Sequence, residues 1–356
     1  MFDCSRAVLE KHSIDVRQFI DCRASLLANG MRIIDVHNSS GLTFSLLPDR
    51  GLDIWMAHYR GMPLTWISQA SPHPPDHGSS WLRQFNGGLL VTCGLQHAGA
   101  SERDPPSGEE RGMHGRYTRL PAEILRHEGC WEEESYVLEL SGRVAQSALF
   151  GEQLRLERTY RIVLGEPVIE IHDVVSNLAD VATPFMLLYH FNFGYPLVRD
   201  GTRLDVAAAS SHPRDETAGA GYADWERYGS SRPQYEEQVF YHHVLERDGR
   251  SNALLSNGTI GLMLTWDVVH APYLTQWKNL RQGIYVSGLE PGNCLPEGQN
   301  AARAAGRLVE LQPGEVQRFR NRIELFERPD GIARAQAVVE ETRSLGRPVA
   351  GPRFGG

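Results

Sequence analysis

Four short clusters in this chain set hydrogen-bonding side chains beside aromatic rings and glycines. They are His114-Gly115-Arg116, His190-Phe191-Asn192, Gln276-Trp277-Lys278 and Ser287-Gly288-Leu289-Glu290-Pro291. Imidazole, amide and carboxylate groups gathered at strand ends suit recognition of a neutral polar ligand such as a sugar. Trp55, Trp66, Trp81, Trp266 and Trp277 add flat apolar faces of the kind that stack on sugar C–H groups. Each cluster alone also has a plainer reading. A histidine at the end of an apolar strand pairs as readily with a core carbonyl, and a glutamate before proline is commonly solvated. A tryptophan is more often core than platform, and Lys278 reads first as a solvated lysine.

The elements that would hold these groups are strands. Residues 187–196 run from an apolar strand through His190 and Asn192 into a Gly-Tyr-Pro break. Between residues 121 and 184 the strand signal is strongest: Leu154, Leu156, Tyr160, Ile162 and Leu164 alternate with Arg155, Glu157, Thr159 and Arg161, with Arg158 the one charge on the inner face. Earlier, short strands are expected at 16–21, 31–37, 42–47 and 52–59, separated by turn signals such as Asn29-Gly30 and Arg50-Gly51. Residues 71–80, rich in proline and glycine, read as a loop. An apolar strand at 85–95 is entered through Gly87-Gly88, and His97 lies just beyond it. Residues 199–233 read as an excursion over the surface. Strands resume from 238 to 326, followed by a helix at about 330–345 with Asp330 as its cap and Ile332, Ala335, Val339 and Thr342 on its inner face. The tail, 351–356, is expected to be disordered. About twenty strands, few short helices and no break in composition imply an all-β, mostly antiparallel fold. One large sandwich domain spanning 1–356 is expected, its core at about 15–328.

Composition narrows the function. Hydrophobic content of 41% and charged content of 22% are those of a soluble globular protein. A net charge of −8 without a long Lys or Arg block argues against nucleic acid. No run approaches the ~20 apolar residues of a membrane span, and the first residues lack an apolar signal region. The five cysteines are odd in number and never spaced C-x-x-C, so buried thiols in a reducing cytoplasm are expected. No glycine-rich phosphate loop opens a helix, which disfavours a nucleotide cofactor. The expected partner is a small molecule rather than a nucleic acid or a membrane, and an exposed strand edge leaves room for a homodimer.

Taken in order, His114-Gly115, His190-Phe191-Asn192 and Gly288-Leu289-Glu290-Pro291 resemble the aldose 1-epimerases (galactose mutarotases), whose later motifs read roughly H-x-Y/F-N and L-E-P. The chain is more closely similar to the DUF4432 branch of that superfamily, through residues 48–54 (Pro-Asp-Arg-Gly-Leu-Asp-Ile), 87–95 (Gly-Gly-Leu-Leu-Val-Thr-Cys-Gly-Leu) and 114–116. The resemblance implies a β-supersandwich whose concave face binds a free monosaccharide and interconverts its anomers without a cofactor. It also implies roles: Glu290 takes the proton from the anomeric hydroxyl, His190 protonates the ring oxygen, and His114 helps to hold the substrate, with Asn192 in support. The chemistry needs one proton acceptor and one donor near neutrality, which a partly buried carboxylate and an imidazole can supply.

The match has gaps. No arginine adjoins Asn86, so Arg50 or Arg116 is expected in the place of the usual binding arginine. Where an aspartate would bind sugar hydroxyls the chain has Gln276-Trp277-Lys278, and Lys278 would favour an acidic or phosphorylated sugar. His97 completes the expected binding set. Two alternatives stay open at this point. One is a related sugar isomerase or lyase using His97, His114, His190 and Glu290 as metal ligands. The other is a non-catalytic carbohydrate-binding protein.

Overall fold

The computed structural model describes residues 3–70 and 72–349. Three antiparallel sheets carry most of the chain. Residues 20–63 form a five-stranded meander: Ile20–Leu26, Arg32–Asn38, Leu42–Leu47, Asp53–Tyr59 and Met62–Pro63. An eight-stranded sheet follows, with the order Arg203–Val206, Arg250–Ser256, Ile260–Asp267, Val316–Glu327, Val168–Asn177, Gln153–Val163, Ser135–Ser147 and Glu123–Glu132. The third sheet, which carries the candidate site, orders Ala208–Pro213, Gln238–Glu246, Tyr273–Arg281, Ile284–Gly292, Thr183–Gly194 and Val309–Leu311. Leu90–Leu95 also pairs with Thr183–Gly194.

Alternation along these strands divides core from cleft. In Thr183–Gly194, the side chains of Leu187, Tyr189, Phe191 and Phe193 join the main core between sheets, together with Leu156, Tyr160, Ile171 and Leu289. Met186 and Leu188 turn the other way and pack with Val91, Cys93 and Cys294. Successive strand residues point to opposite faces, so His190 leaves the core on the side of Met186 and Leu188. Burying each aromatic of the inner row contributes roughly 1.5–3 kcal/mol, which pins the register. A slip of one residue would put His190 into the core and Phe191 into the cleft.

Arg158, the charge among inward residues, is the centre of a buried polar hub joining all three sheets. Its guanidinium donates to Asp173 Oδ1 (2.9 Å) and Oδ2 (2.7 Å), to Asp53 Oδ1 (2.8 Å) and to Thr92 Oγ1 (3.0 Å). Tyr189 Oη donates to Asp173 Oδ2 at 2.8 Å, and the rings of Tyr117, Tyr160 and Tyr189 surround the guanidinium at 5.8–6.0 Å. Asp53 and Thr92 lie in the 48–54 and 87–95 motifs, and Tyr189 precedes His190. The hub therefore fixes the strands that present the site.

Four expectations need correction. Residues 16–18 form a 3-10 turn rather than a strand, because Asp15 accepts from the Arg17 N–H and starts a turn; pairing begins at Ile20. Residues 199–233 are not simply a surface excursion. Arg203–Val206 and Ala208–Pro213 add edge strands to two sheets, and Asp215 caps a short helix at Glu216–Ala220. Residues 101–112, which are polar and contain proline and so read as a surface loop, hold a two-stranded hairpin, Glu102–Arg103 with Glu110–Arg111. The last helix, Arg328–Leu345, starts earlier than expected, with Glu327 rather than Asp330 at its N-cap. Its buried face is Ile332, Ala335, Val339 and Thr342. The tail 351–356 lies outside the described residues. No helix among the described residues is long and apolar enough to cross a membrane.

Candidate active site

Two neighbouring strands bring His190 and Glu290 together. The Thr183–Gly194 and Ile284–Gly292 ladder pairs Leu188 with Gly292 and Phe191 with Leu289, so His190 and Glu290 come opposite each other on the same face. Their side chains meet directly, His190 Nε2 lying 3.2 Å from Glu290 Oε1. Both are almost wholly buried, at 6% and 3% exposure. They lie at the base of a cleft of about 810 Å³, within the range of small-molecule sites.

Aromatic rings wall this cleft. Phe85 and Trp277 each stand 5.5 Å from the His190 ring, centroid to centroid. Trp66 meets Trp277 edge-on at 5.9 Å, and Trp81 stacks on Phe85 at 4.4 Å. His114 closes one side, 4.6 Å from Trp81 and 6.2 Å from His190. The His114-Gly115 step has a backbone cause. Gly115 (φ +73°) packs so closely that a Cβ would come within 2.4 Å of Gly94 O and 2.5 Å of His97 O. Gly288 is equally constrained, because a Cβ there would lie 2.9 Å from Trp277 Cβ and 3.0 Å from Glu290 Oε1. It leaves room for the platform and the carboxylate at once.

Burial sets the protonation of the pair. It pushes the Glu290 carboxyl up to about 8, helped by the charge of Glu237 and opposed by Arg214. It pushes His190 down to about 4, and His114 down to about 3 with help from His190 and His97. Both effects follow from the cost of holding a charge away from water. Between those limits the His190–Glu290 pair carries one proton, on the carboxyl.

The remaining expected residues lie elsewhere. Strand alternation separates the Gln276-Trp277-Lys278 triplet: Thr275, Trp277 and Asn279 line the cleft, while Gln276 and Lys278 point through the other face of the sheet. There Gln276 donates to Trp225 O (2.9 Å), and Lys278 Nζ donates to Asp224 O (2.7 Å) and Arg227 O (2.6 Å). Neither can reach a ligand in the cleft. Arg50 is buried and donates to His73 O (3.1 Å) and Gln84 O (2.9 Å), holding the loop that carries Trp81 and Phe85. His97 bonds Ala100 O at 2.8 Å and faces Glu102, outside the cleft lining. Arg116 is exposed and also outside it. Asn192 lies beneath the cleft floor, its amide donating to Gly88 O and His190 O. Trp266 is core, with its N–H on Ala271 O. Among the described residues no three His, Cys, Asp or Glu side chains are grouped to hold a metal ion.

Sequence reasoning passed over Phe85, Arg83, Arg214, Glu237, Thr275 and Asn279, all of which line the cleft. Thr275 stands opposite Glu290 in the ladder, and its buried hydroxyl has no protein partner. Glu237 accepts from Trp277 Nε1 at 2.8 Å and lies 3.5 Å from Arg214, tying the platform to the rim. Thr275 and Asn279 were readable as the same-face neighbours of Trp277 two residues either way. Arg214 and Glu237 carried no such signal, since they reach the cleft from loop positions just outside Ala208–Pro213 and Gln238–Glu246.

The mostly antiparallel β-sandwich places the molecule among galactose mutarotase-like proteins in architecture. Residues 28–325 match the family described as Domain of unknown function (DUF4432), and the chain belongs to that family. A Klebsiella pneumoniae protein described as a putative aldose 1-epimerase superposes with a TM-score of 0.83 at 25% identity, covering 91% of this chain and 87% of that one. A galactose mutarotase-like protein from Clostridium acetobutylicum (TM-score 0.59, 12% identity, 87% and 99% coverage) shares the fold. So does galactose 1-epimerase from Lactobacillus acidophilus (0.56, 15%, 87% and 99%). No curated protein sequence matches the chain significantly.

Proposed function

We propose that the chain is an aldose 1-epimerase-like enzyme that interconverts the anomers of a free monosaccharide through Glu290 and His190. The observation that carries this reading is the 3.2 Å contact between His190 Nε2 and Glu290 Oε1 at the base of an aromatic cleft. The two oxygens that exchange protons in anomerisation, the ring oxygen and the anomeric hydroxyl, are both bonded to C1. An acid and a base must therefore sit side by side, as these two atoms do. The Klebsiella protein's description points the same way.

In the opening step Glu290 takes the proton of the anomeric hydroxyl, the bond from C1 to the ring oxygen breaks, and His190 supplies the ring oxygen with a proton. Rotation about C1–C2 and closure in the reverse sense give the other anomer and restore both groups. The step needs one proton in the pair. The buried neutral pair, with the proton on Glu290, differs from the carboxylate–imidazolium pair only by a transfer across the contact. Trp277, Phe85 and Trp81 offer apolar faces to the sugar C–H surface, and Thr275 offers a hydroxyl to the substrate. The test is exchange NMR over a panel of aldoses, including uronic acids and deoxy sugars. Faster anomer exchange for at least one sugar is expected; no acceleration for any of them would overturn the proposal.

A further inference from the structure

Lys278, absent from the cleft, lines a second pocket of about 650 Å³ on the opposite face of the Tyr273–Arg281 strand. Its ammonium is buried, the residue being 3% exposed. Two of its three N–H groups donate to carbonyls, Asp224 O and Arg227 O, and the ring of Tyr228 lies 5.4 Å from Nζ. A carbonyl is a dipole, not a counter-ion, and among the described residues no ion pair joins Lys278 to a carboxylate. Buried cations are ordinarily paired because desolvation is costly. The second basic group of the pocket, Arg232, also has no ion pair among the described residues and lies near enough to repel the Lys278 charge. Arg203 and Arg227 stand at the same pocket, each already beside Glu226. Of its two acids, Asp224 attracts the Lys278 charge more than Arg232 repels it, yet meets the ammonium only through its backbone carbonyl, and the Asp200 carboxylate accepts from Ser230 Oγ.

We infer that this pocket is a binding site for a small oxyanion, a phosphate group held between Lys278 and Arg232. The ammonium supplies its remaining N–H and a point charge, and the guanidinium supplies paired donors. The pocket is separated from the cleft by the sheet, so the inference does not rest on the reading of Glu290 and His190. It answers what an apparently misplaced lysine does: it is aimed at a different ligand.

Thermal unfolding of the full chain in sodium phosphate, against sodium chloride at equal ionic strength, tests this. Wild type should show a saturable rise in Tm, about 4 °C at a hundredfold excess over Kd. Glucose 6-phosphate in a parallel titration separates a free ion from a phosphate ester by which half-saturates first. Lys278→Met keeps the length of the side chain, and Arg232→Ala removes an exposed one. Each should abolish the phosphate-specific rise. Should Lys278→Met fail to fold, Arg232→Ala decides alone. An equal Tm in chloride and in both phosphates, or an undiminished rise in Arg232→Ala, would overturn the inference.

Discussion

Replacing Glu290 with glutamine should make the protein more stable while removing its proposed chemistry, and the gain should depend on pH in a way the structure specifies. The folded carboxyl titrates at about 8, against 4.5 for an exposed glutamate. Because the folded value is the higher, the stabilising protonation is complete below 4.5 and is lost as pH rises through about 8. At pH 7 the unfolded chain has released a proton that the folded chain retains. Each pH unit between is worth 1.36 kcal/mol, so burial of this group costs about 3 kcal/mol at pH 7, about 4 at pH 8 and under about 1 at pH 5. Glutamine carries no such titration, and its amide can still donate to His190 Nε2. The His190 contribution, which acts at lower pH, is present in both chains and cancels. Urea denaturation of wild type and Glu290→Gln at pH 5, 6, 7 and 8 reads the difference directly. The variant's advantage should grow by about 3 kcal/mol from pH 5 to pH 8. A difference that stays flat over that range would refute the claim that the carboxyl is buried and protonated.

Three further outcomes follow from the same geometry. Anomer exchange by the wild type should hold a plateau where the pair carries one proton, falling below about pH 4 as His190 gains a second and above about pH 8 as Glu290 loses its own; a pH–rate profile, corrected for the uncatalysed rate, checks this. Gly288→Ala should cost about 1–3 kcal/mol and lower turnover, because its Cβ meets Trp277 and the Glu290 carboxylate at 2.9 and 3.0 Å; wild-type turnover would count against the packing described. Arg158→Leu should cost about 3–5 kcal/mol in chemical denaturation by leaving Asp53 and Asp173 buried without their cation.

Much of this molecule was readable from its sequence where period-2 alternation faced a single core. The inner row Leu154, Leu156, Tyr160 and Ile162 and the row Tyr189, Phe191 and Phe193 could only be buried one way, and they fix where His190 emerges. Arg158 announced itself as a misfit within that pattern, but its partners, Asp53 and Asp173, are visible only when the sheets stack. The His190–Glu290 contact joins residues a hundred apart, so composition and spacing could not reveal it; the ordered motifs suggested it. The misplacement of Gln276 and Lys278 was avoidable, since neighbours of a platform tryptophan on a strand must face away from it. Arg50 and His97 were a different case. Their side chains satisfy loop carbonyls, and nothing local in the sequence separates that role from ligand binding. Residues 203–213 were missed as strands because edge strands with one pairing partner need few apolar residues.

The most direct test of the account is exchange spectroscopy on the best-accepted sugar with wild type, Glu290→Gln and His190→Asn at pH 7. The account predicts that each variant, folded and at equal concentration, loses about 10²–10⁴-fold of the enzymatic exchange rate. Exchange that persists at the wild-type rate in either variant would contradict the assignment of the His190–Glu290 pair as the acid and base.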